Sequence, residues 1–485
     1  MKKFIVFLFV IGVIASTPYF IGEQIEARIQ DQVQQFDDLP FYIVQIKDYD
    51  RGYIRSRVTI RLGVNDELVE EFFQGQEGLP SKGGSFDAYV NVQHGPVLFD
   101  NGFGLGWADF SGAIDRASYP KWKGFFDALG KDMFYAWAAR VGFEGQGWVK
   151  SDIPDQNATF EADDQETYFS ITGYEDYLSF TGYGQSFVSD YSVDELSLKM
   201  TKTADTTTDP SLELDVVNMR GDAEFAYQGS AWLGIGSAQI AFEKLVGRSA
   251  QAGQNIRMDD LYLYADIDEG SSSETLSIRE SIQIQSGDFN GYLAEDMEFT
   301  FSYENITKAL LEAQITEQEL FLPDESGQIS DEAQTRLENL LKDAARRDPT
   351  IALEKVSFSS NDGLVDMSAS VKLNSALLPT TIDFNNPLSM LPALGAFADI
   401  EVSESLIRTI MILKSKSDVA GLPDEERPTD QQIEELVDTQ IAFGSAAFVE
   451  QGFLTFEEGK YSTLFSYDKG NATLNGKLIP LGIFN

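Results

Sequence analysis

The chain contains no cysteine, which excludes disulfide cross-links, thiolate metal sites and cysteine nucleophiles. An oxidising compartment stays open, because a chain of 485 residues can bury a core large enough to need no cross-links. Basic side chains are also scarce: 36 lysines and arginines stand against 78 aspartates and glutamates, for a formal net charge of −42. Such a chain repels phosphate backbones, so we exclude nucleic acid as a partner.

Histidine occurs once, at His94, between the alternating Val90 and Val92 and the Gly95-Pro96 corner. A catalytic imidazole needs a carboxylate that orients it and a nucleophile to activate. The flanking pattern instead predicts that the ring bonds to backbone groups where a strand ends. Phosphate-binding loops, serine-hydrolase elbows and metalloprotease motifs are missing from the sequence. We therefore predict no catalytic residue, no metal site and no cofactor.

The amino terminus has a long uncharged run, Phe4 to Gly22, directly after Lys2 and Lys3. As a helix this run would measure about 28 Å, close to the thickness of a hydrocarbon core. It predicts an uncleaved signal anchor over residues 1–22, which makes a single pass through a bacterial inner membrane and leaves the rest in the periplasm. Residues 23–40 predict an amphipathic helix whose stripe packs on the folded domain or on a second copy. The apolar stripe consists of Ile21, Ile25, Ile29, Val33 and Phe36.

From residue 41 the apolar period changes to two, as in "YIRSRVTIRL", which predicts an antiparallel β region over 41–300. Residues 301–485 predict an α/β part of the same unit, with helices over 331–347, 405–414 and 429–448. The fold class is therefore α+β and dominated by strands. We expect a long, twisted and curled antiparallel sheet that a few helices from the last third partly cover.

Two clusters within the β region are candidates for binding. Arg55, Arg57 and Arg61 share one strand face, where they either pair with acidic neighbours or meet lipid headgroups. A group of aromatic residues follows, and it either fills the core or stacks on a ligand. The ligand candidates in that group are Trp107, Trp122, Trp137, Trp148 and Phe134.

Five short motifs follow one another along the chain. Their residues are Tyr19, Gly22, Ile25 and Glu26; Tyr49, Arg51, Gly52 and Ser56; His94, Gly95 and Pro96; Asp348, Pro349, Ile351 and Leu353; and Ala472 to Lys477 with Asn475 and Gly476. In this order the motifs resemble the YdgA-like family of Gram-negative bacterial envelope proteins. The chain departs from that pattern at Ile54, where we expect an aromatic residue, and after Pro96, where a second proline is missing. The resemblance implies an inner-membrane-anchored periplasmic protein, and it implies no reaction.

Three hypotheses for the function follow. The first is a non-enzymatic, membrane-anchored envelope protein that binds a protein partner or an apolar, lipid-like ligand in a β groove. The second is a scaffold or assembly factor that dimerises through the helix over 23–36, with a filled core and an exposed apolar patch. The third is an envelope hydrolase that uses two carboxylates whose pKa values are pushed apart. The sequence selects no such pair of carboxylates, so the hydrolase ranks last.

Overall fold

The computed structural model describes most of the chain. It covers residues 2–37, 42–64, 85–114, 127–128, 136–162, 165–202, 211–227, 233–249, 253–317, 320–321, 329–380, 382, 387–419 and 427–479. In the first helix the side chains are described from Thr17 to Gln34. The chain forms two compact units, which are described separately below. The first comprises Met1–Gln254 with Glu312–Gln318, and the second comprises Asn255–Leu311 with Glu319–Asn485.

Five α-helices occur among the described residues, and side-chain caps begin the third and the fifth of them. The sequence analysis missed the second helix, which directly follows a strand and begins without a capping residue. Thr429 and Gln432 cap the fifth helix reciprocally, which confirms the predicted capping box. The helices are α1 (Lys2–Asp37), α2 (Lys308–Thr316), α3 (Asp331–Ala345), α4 (Glu404–Val419) and α5 (Asp430–Glu450).

Strands make up most of the described chain, as the alternating pattern predicts. They are β1 (Tyr42–Arg51), β2 (Arg55–Val64), β3 (Ser85–His94), β4 (Val97–Leu98), β5 (Gly104–Leu105), β6 (Ala108–Ile114), β7 (Ala136–Val141), β8 (Gly147–Ile153), β9 (Gln156–Ala162), β10 (Gln165–Thr172), β11 (Tyr174–Thr181), β12 (Ser186–Lys202), β13 (Leu212–Tyr227), β14 (Gly234–Ser249), β15 (Gln254–Glu269), β16 (Thr275–Phe289), β17 (Tyr292–Thr307), β18 (Thr350–Ser360), β19 (Gly363–Leu373), β20 (Leu394–Ser403), β21 (Thr455–Glu457), β22 (Lys460–Asp468), β23 (Asn471–Leu474) and β24 (Lys477–Ile479).

In the first unit the strands form an antiparallel ladder in the order β1-β2-β3-β6-β7-β8-β11-β12-β13-β14. The strand β12 is long enough to hold two partners on one edge. Its first half pairs with β11, and its second half pairs with β10, which also pairs with β9. A separate two-stranded ribbon, β4 with β5, lies in the connection between β3 and β6.

In the second unit the strands β15 to β20 pair consecutively, and β22 pairs next to β20. The helices α4 and α5 pack together, with Ile433 and Val437 buried between them and Tyr461 of β22. Asn475 and Gly476 form the predicted tight turn between β23 and β24, both at positive φ. Asp348 lies beyond α3 at positive φ, where its carboxylate accepts a hydrogen bond from the Ser375 amide at 2.6 Å.

The antiparallel, β-dominated α+β prediction is confirmed, and the predicted curling of the sheet is not seen. Alternation along β2 is confirmed as well. Ser56 and Val58 of this strand are buried, whereas Arg55 and Arg57 lie on the opposite, exposed face.

Candidate ligand groove

The helix α1 lies across the first strands of the first unit. Its residues Ile21 and Ile25 are buried against Val58, Val90 and Val92. This cluster buries the first part of the apolar stripe that the sequence analysis predicts. The stripe therefore contacts the sheet of its own chain, because a helix with an apolar stripe lowers its free energy by covering an apolar sheet face.

Beside α1 the same sheet face is left open as a groove of about 730 Å³. Val58, Val90 and Ala108 form its floor, where the strands β2, β3 and β6 run side by side. The wall residues are mostly apolar and come from the helix and from four further segments of the unit. They include Ile25, Ile29 and Val33 of α1 together with Ile60, Trp107, Phe110, Trp137, Val141, Phe180 and Tyr183.

The predicted aromatic candidates separate into three groups. Trp107 and Trp137 line the groove. Trp148 pairs directly with Arg140 across β7 and β8, so strand alternation puts it on the opposite sheet face from Trp137. Trp122 and Phe134 lie outside the described residues. The structure thus brings together two of the four candidate tryptophans.

Two further wall residues are Phe110, which belongs to the aromatic group of the sequence analysis, and Phe180, which the sequence analysis missed. Both lie at alternating positions of strands, and that alternation was the available signal. The register of β6, β7, β8 and β11 then carries them to the face of Trp137. Gly112 lies under the Trp137 indole, since a Cβ at this position would overlap the ring. Because glycine has no side chain, the Trp137 indole has room to pack against the sheet at this position.

The polar and charged lining residues of the groove, apart from the Tyr183 hydroxyl, all come from α1: Gln24, Arg28, Asp31 and Gln32. Arg28 of α1 lies over the ring of Tyr183, with its guanidinium carbon 4.2 Å from the ring centroid. The Trp107 indole donates a hydrogen bond to the carbonyl oxygen of Phe143 at 3.0 Å, so its polar atom is satisfied outside the groove. A largely apolar lining with a few polar groups is typical of sites that bind amphiphiles.

His94 lies at the end of the same face, fully buried under α1. The Ser56 hydroxyl donates to Nε2 of His94 at 2.9 Å, and Nδ1 donates to the carbonyl oxygen of Tyr53 at 3.4 Å. A Cβ on Gly22 would lie only 2.5 Å from Cε1 of the ring, so the helix backbone rests directly on the imidazole. This pair of serine and histidine is sealed from substrate, and its orienting partner is a backbone carbonyl. The arrangement is structural.

Arg51, at the turn between β1 and β2, links α1 to that turn. The Arg51 guanidinium donates to Glu26 of α1 at 3.0 Å and lies 5.4 Å from the Tyr19 ring centroid. Burial raises the pKa of Tyr49, and the neighbouring Ser56 hydroxyl partly opposes that shift. Gly52, in the turn after Arg51, is not at positive φ. Glycine is required there because the Arg55 carbonyl oxygen approaches too closely for a Cβ.

The pH dependence of stability should report this buried imidazole. Burial lowers the pKa of His94 below its ordinary value of 6.5, with the Arg51 charge adding to the shift and backbone hydrogen bonds to Tyr53 and Pro18 opposing it. As the pH falls, the unfolded chain therefore takes up a proton at His94 before the folded chain does. The stabilisation is complete above pH ~6.5 and is lost as the pH falls towards the folded pKa, with a slope of up to about 1.4 kcal/mol per pH unit.

We therefore expect the free energy of unfolding of the first unit to fall between pH ~7.5 and pH ~5.5 more steeply in the natural chain than in His94→Gln. Urea unfolding at several pH values, followed by tryptophan fluorescence, measures both slopes. Equal slopes would contradict a neutral buried imidazole.

The model of one protein family, described as a bacterial protein of unknown function (DUF945), matches residues 1–482. The chain belongs to the DUF945 family. No curated protein and no solved structure matches it. Among the described residues, no helix is both long enough and apolar enough to cross a membrane. Family membership assigns no activity to this DUF945 protein, so a function has to be argued from its geometry.

The arginine face of β2 in this DUF945 protein is occupied by pairing with neighbours. Arg61 and Lys47 both bond to Asp87, at 3.0 and 2.7 Å. Burial raises the pKa of Asp87, but these hydrogen bonds outweigh burial and the net shift is downward. Arg57 lies 4.2 Å from the ring centroid of Tyr89. The stripe therefore balances charge on the sheet face opposite the groove.

Acidic clusters in the second unit offer no metal site within the described part of the chain, where no three ligands converge. Asp266 and Asp268 lie on one face of β15, since they are two residues apart. Burial raises the pKa of Asp266, and the Asp268 charge adds to that shift. A raised carboxyl pKa on a flat strand is not by itself a catalytic arrangement, because acid–base catalysis needs a cleft that holds substrate.

Proposed function

We propose that this DUF945 protein is a non-enzymatic, membrane-anchored bacterial envelope protein, similar to the YdgA-like proteins, that holds an apolar, lipid-like ligand in the groove beside α1. The observation that carries the proposal is the groove of about 730 Å³ on an otherwise buried sheet face. Small-molecule sites typically measure about 300–1,000 Å³, so an acyl chain is of matching size.

The lining favours an apolar ligand over a polar one. Floor and walls are built mainly from aliphatic and aromatic side chains. A polar ligand in the interior would lose hydrogen bonds to water without replacement, at a cost of about 1–3 kcal/mol for each group. An acyl chain loses none, and a polar headgroup would meet the α1 side chains Gln24, Arg28, Asp31 and Gln32, which also line the groove.

Anchoring in a membrane is supported by the sequence around the helix. The uncharged run Phe4 to Gly22 belongs to the same helix, α1, that forms one wall of the groove. A bilayer that holds the start of this run would therefore lie next to the groove along one continuous helix, while Ile21 and Gly22 at the end of the run pack on the sheet. The scaffold and hydrolase hypotheses stay predictions. The open groove departs from the filled core that the scaffold hypothesis expects.

A photo-crosslinking experiment tests the proposal. The full chain is reconstituted in vesicles that contain a fatty acid with a diazirine at its methyl end, and crosslinked peptides are mapped by mass spectrometry. We expect adducts near Ile29 and Val33 of α1 and near Phe110 and Phe180. Val33→Asp should lower their yield by roughly tenfold or more, because an unpaired carboxylate against an acyl chain costs more than about 1.4 kcal/mol.

Trp148→Ala is the matched control, since Trp148 lies on the other sheet face and its removal should leave the adducts unchanged. Trp137→Ala enlarges the groove and should redistribute the adducts along it. Adducts confined to residues 4–22, with equal yields in Val33→Asp and the natural chain, would show that the fatty acid contacts the anchor and does not enter the groove.

A further inference from the structure

The connection between β3 and β6 exposes large apolar side chains to solvent. Phe99 is 60% exposed, Phe103 is 76% exposed and Leu105 is 60% exposed. The rings of Phe99 and Phe103 contact each other, with centroids 5.9 Å apart. Three such residues within seven positions form a continuous apolar patch, and patches of this kind mark surfaces that contact a partner or a membrane.

This connection, which we name the aromatic loop (residues 97–107), is held by buried polar side chains. The Gln93 side-chain oxygen accepts from the amides of Phe99 and Asp100 at 2.8 and 2.9 Å. The Asn101 side chain donates to the carbonyl oxygens of Phe110 and Ala139, both at 3.0 Å.

Arg140 adds a third tie, because its guanidinium donates to the Gly102 carbonyl oxygen at 2.6 Å. These bonds come from residues of the sheet. The exposure of the phenylalanines is therefore a property of the folded loop and does not result from fraying.

The aromatic loop lies where α1 meets the sheet. Ile54, which is 53% exposed, bonds through its carbonyl oxygen to the His94 amide at 2.7 Å. Arg55 next to it bridges to Asp100 within the loop. Phe20 of α1, which is 59% exposed, lies two residues before Gly22, the residue that rests on His94. Contacts thus connect the helix, the hairpin turn and the aromatic loop at one end of the sheet.

The charges at this end are paired with one another. Arg55 bonds to Asp100, and Arg51 bonds to Glu26. The whole chain carries a net charge of −42, so long-range electrostatics repels it from anionic lipids. Attraction to a membrane must therefore come from apolar side chains, and aromatic residues are the type that bilayer interfaces favour.

We propose that the aromatic loop, with Ile54 and Phe20, is a surface that inserts into the interface of the bilayer in which the apolar run before Phe20 is anchored. This inference rests on the anchoring half of the proposed function. The occupant is a membrane because the apolar run before Phe20 continues the same helix out of this end of the sheet. The inserted phenylalanines fix the orientation of the first unit on the membrane surface.

The lack of cysteine makes the test specific, because a single introduced cysteine is the only site that a thiol-reactive dye can label. The variants Phe103→Cys and Ile54→Cys of the full chain are labelled with an environment-sensitive fluorophore and reconstituted in phosphatidylcholine vesicles with a lipid-borne quencher. Glu161→Cys, at an exposed position of β9, is the matched control. We expect quenching several-fold stronger at positions 103 and 54 than at position 161, with no change when salt is raised.

Each outcome decides between the proposals. A dye at position 103 that stays unquenched while the protein floats with the vesicles overturns the docking surface and leaves the anchor standing. A chain that does not float overturns both. Emission that shifts with protein concentration, without quenching, would show that a second copy covers the loop, and this also overturns the inference. Quenching at position 103 without acyl adducts in the groove supports insertion of the aromatic loop and contradicts ligand binding in the groove.

Discussion

Replacing Arg140 by alanine should lower the free energy of unfolding of the first unit by about 3–5 kcal/mol, because it leaves a buried carboxylate without its counter-charge. Asp109 is 1% exposed. It accepts two hydrogen bonds from the Arg140 guanidinium, at 2.6 and 2.8 Å, and one from the Asn101 amide at 3.2 Å. The hydrogen bonds to Asp109 raise the pKa of Arg140, so the guanidinium stays charged.

Unfolding in urea, followed by tryptophan fluorescence, measures this loss selectively, since every tryptophan belongs to the first unit. The tryptophans are Trp107, Trp122, Trp137, Trp148 and Trp232. Arg55→Ala is the matched control, because Arg55 forms an exposed ion pair with Asp100, and exposed pairs contribute below about 1 kcal/mol. A double variant with Asp109→Ala should lose less than the sum of the single losses. Equal losses in Arg140→Ala and Arg55→Ala would show that the buried pair is not formed.

Gly22→Ala should destabilise the first unit by about 1–3 kcal/mol, although alanine favours a helix over glycine by ~1 kcal/mol. The added methyl group would lie 2.5 Å from Cε1 and 2.6 Å from Nδ1 of His94. The ring cannot swing away, because Ser56 and the Tyr53 carbonyl hold both of its nitrogens. The helix must therefore lift from the sheet, which also loosens the groove wall that α1 provides.

Gly247→Ala in β14 is the control for this change. A Cβ there meets nothing within 4 Å, and the backbone is not at positive φ. Alanine at this position should be neutral or stabilising by up to about 1 kcal/mol, because glycine weakens a strand. We therefore predict that Gly22→Ala lowers the free energy of unfolding, whereas Gly247→Ala leaves it unchanged or raises it. If Gly22→Ala stabilises the unit as well, the helix does not rest on the imidazole.

The parts of this fold that depend on local periodicity could be predicted from the sequence. Alternation along Ser56, Val58 and Ile60 gives the buried face of β2, and the capping box of Thr429 gives the start of α5. That His94 ends a strand also follows locally, from the Gly95-Pro96 corner. Its partners do not, because the Tyr53 carbonyl and the Ser56 hydroxyl are about 40 residues away in the sequence.

A β groove was expected from the sequence, but its place and its walls could not be predicted, because they depend on strand register and on the placement of α1. Trp137 and Trp148 look equivalent in the sequence, and only the pairing of β7 with β8 separates them onto opposite faces. The same limit hid the bond between Asp109 and Arg140, since nothing local to either residue indicates the other. The register of β6 with β7 pairs them directly.

Truncation before residue 23 is a poor route to a soluble form, because it removes Ile21 and Gly22 from the interface between α1 and the sheet. Tests of the groove therefore need the full chain.

The most direct test of the groove is mass spectrometry of the lipids that co-purify with the natural full chain, compared with the lipids that co-purify with Val33→Asp in the same detergent. Binding in the groove predicts about one fatty acid or phospholipid per chain above the variant, and an equal lipid content in the two proteins would contradict it.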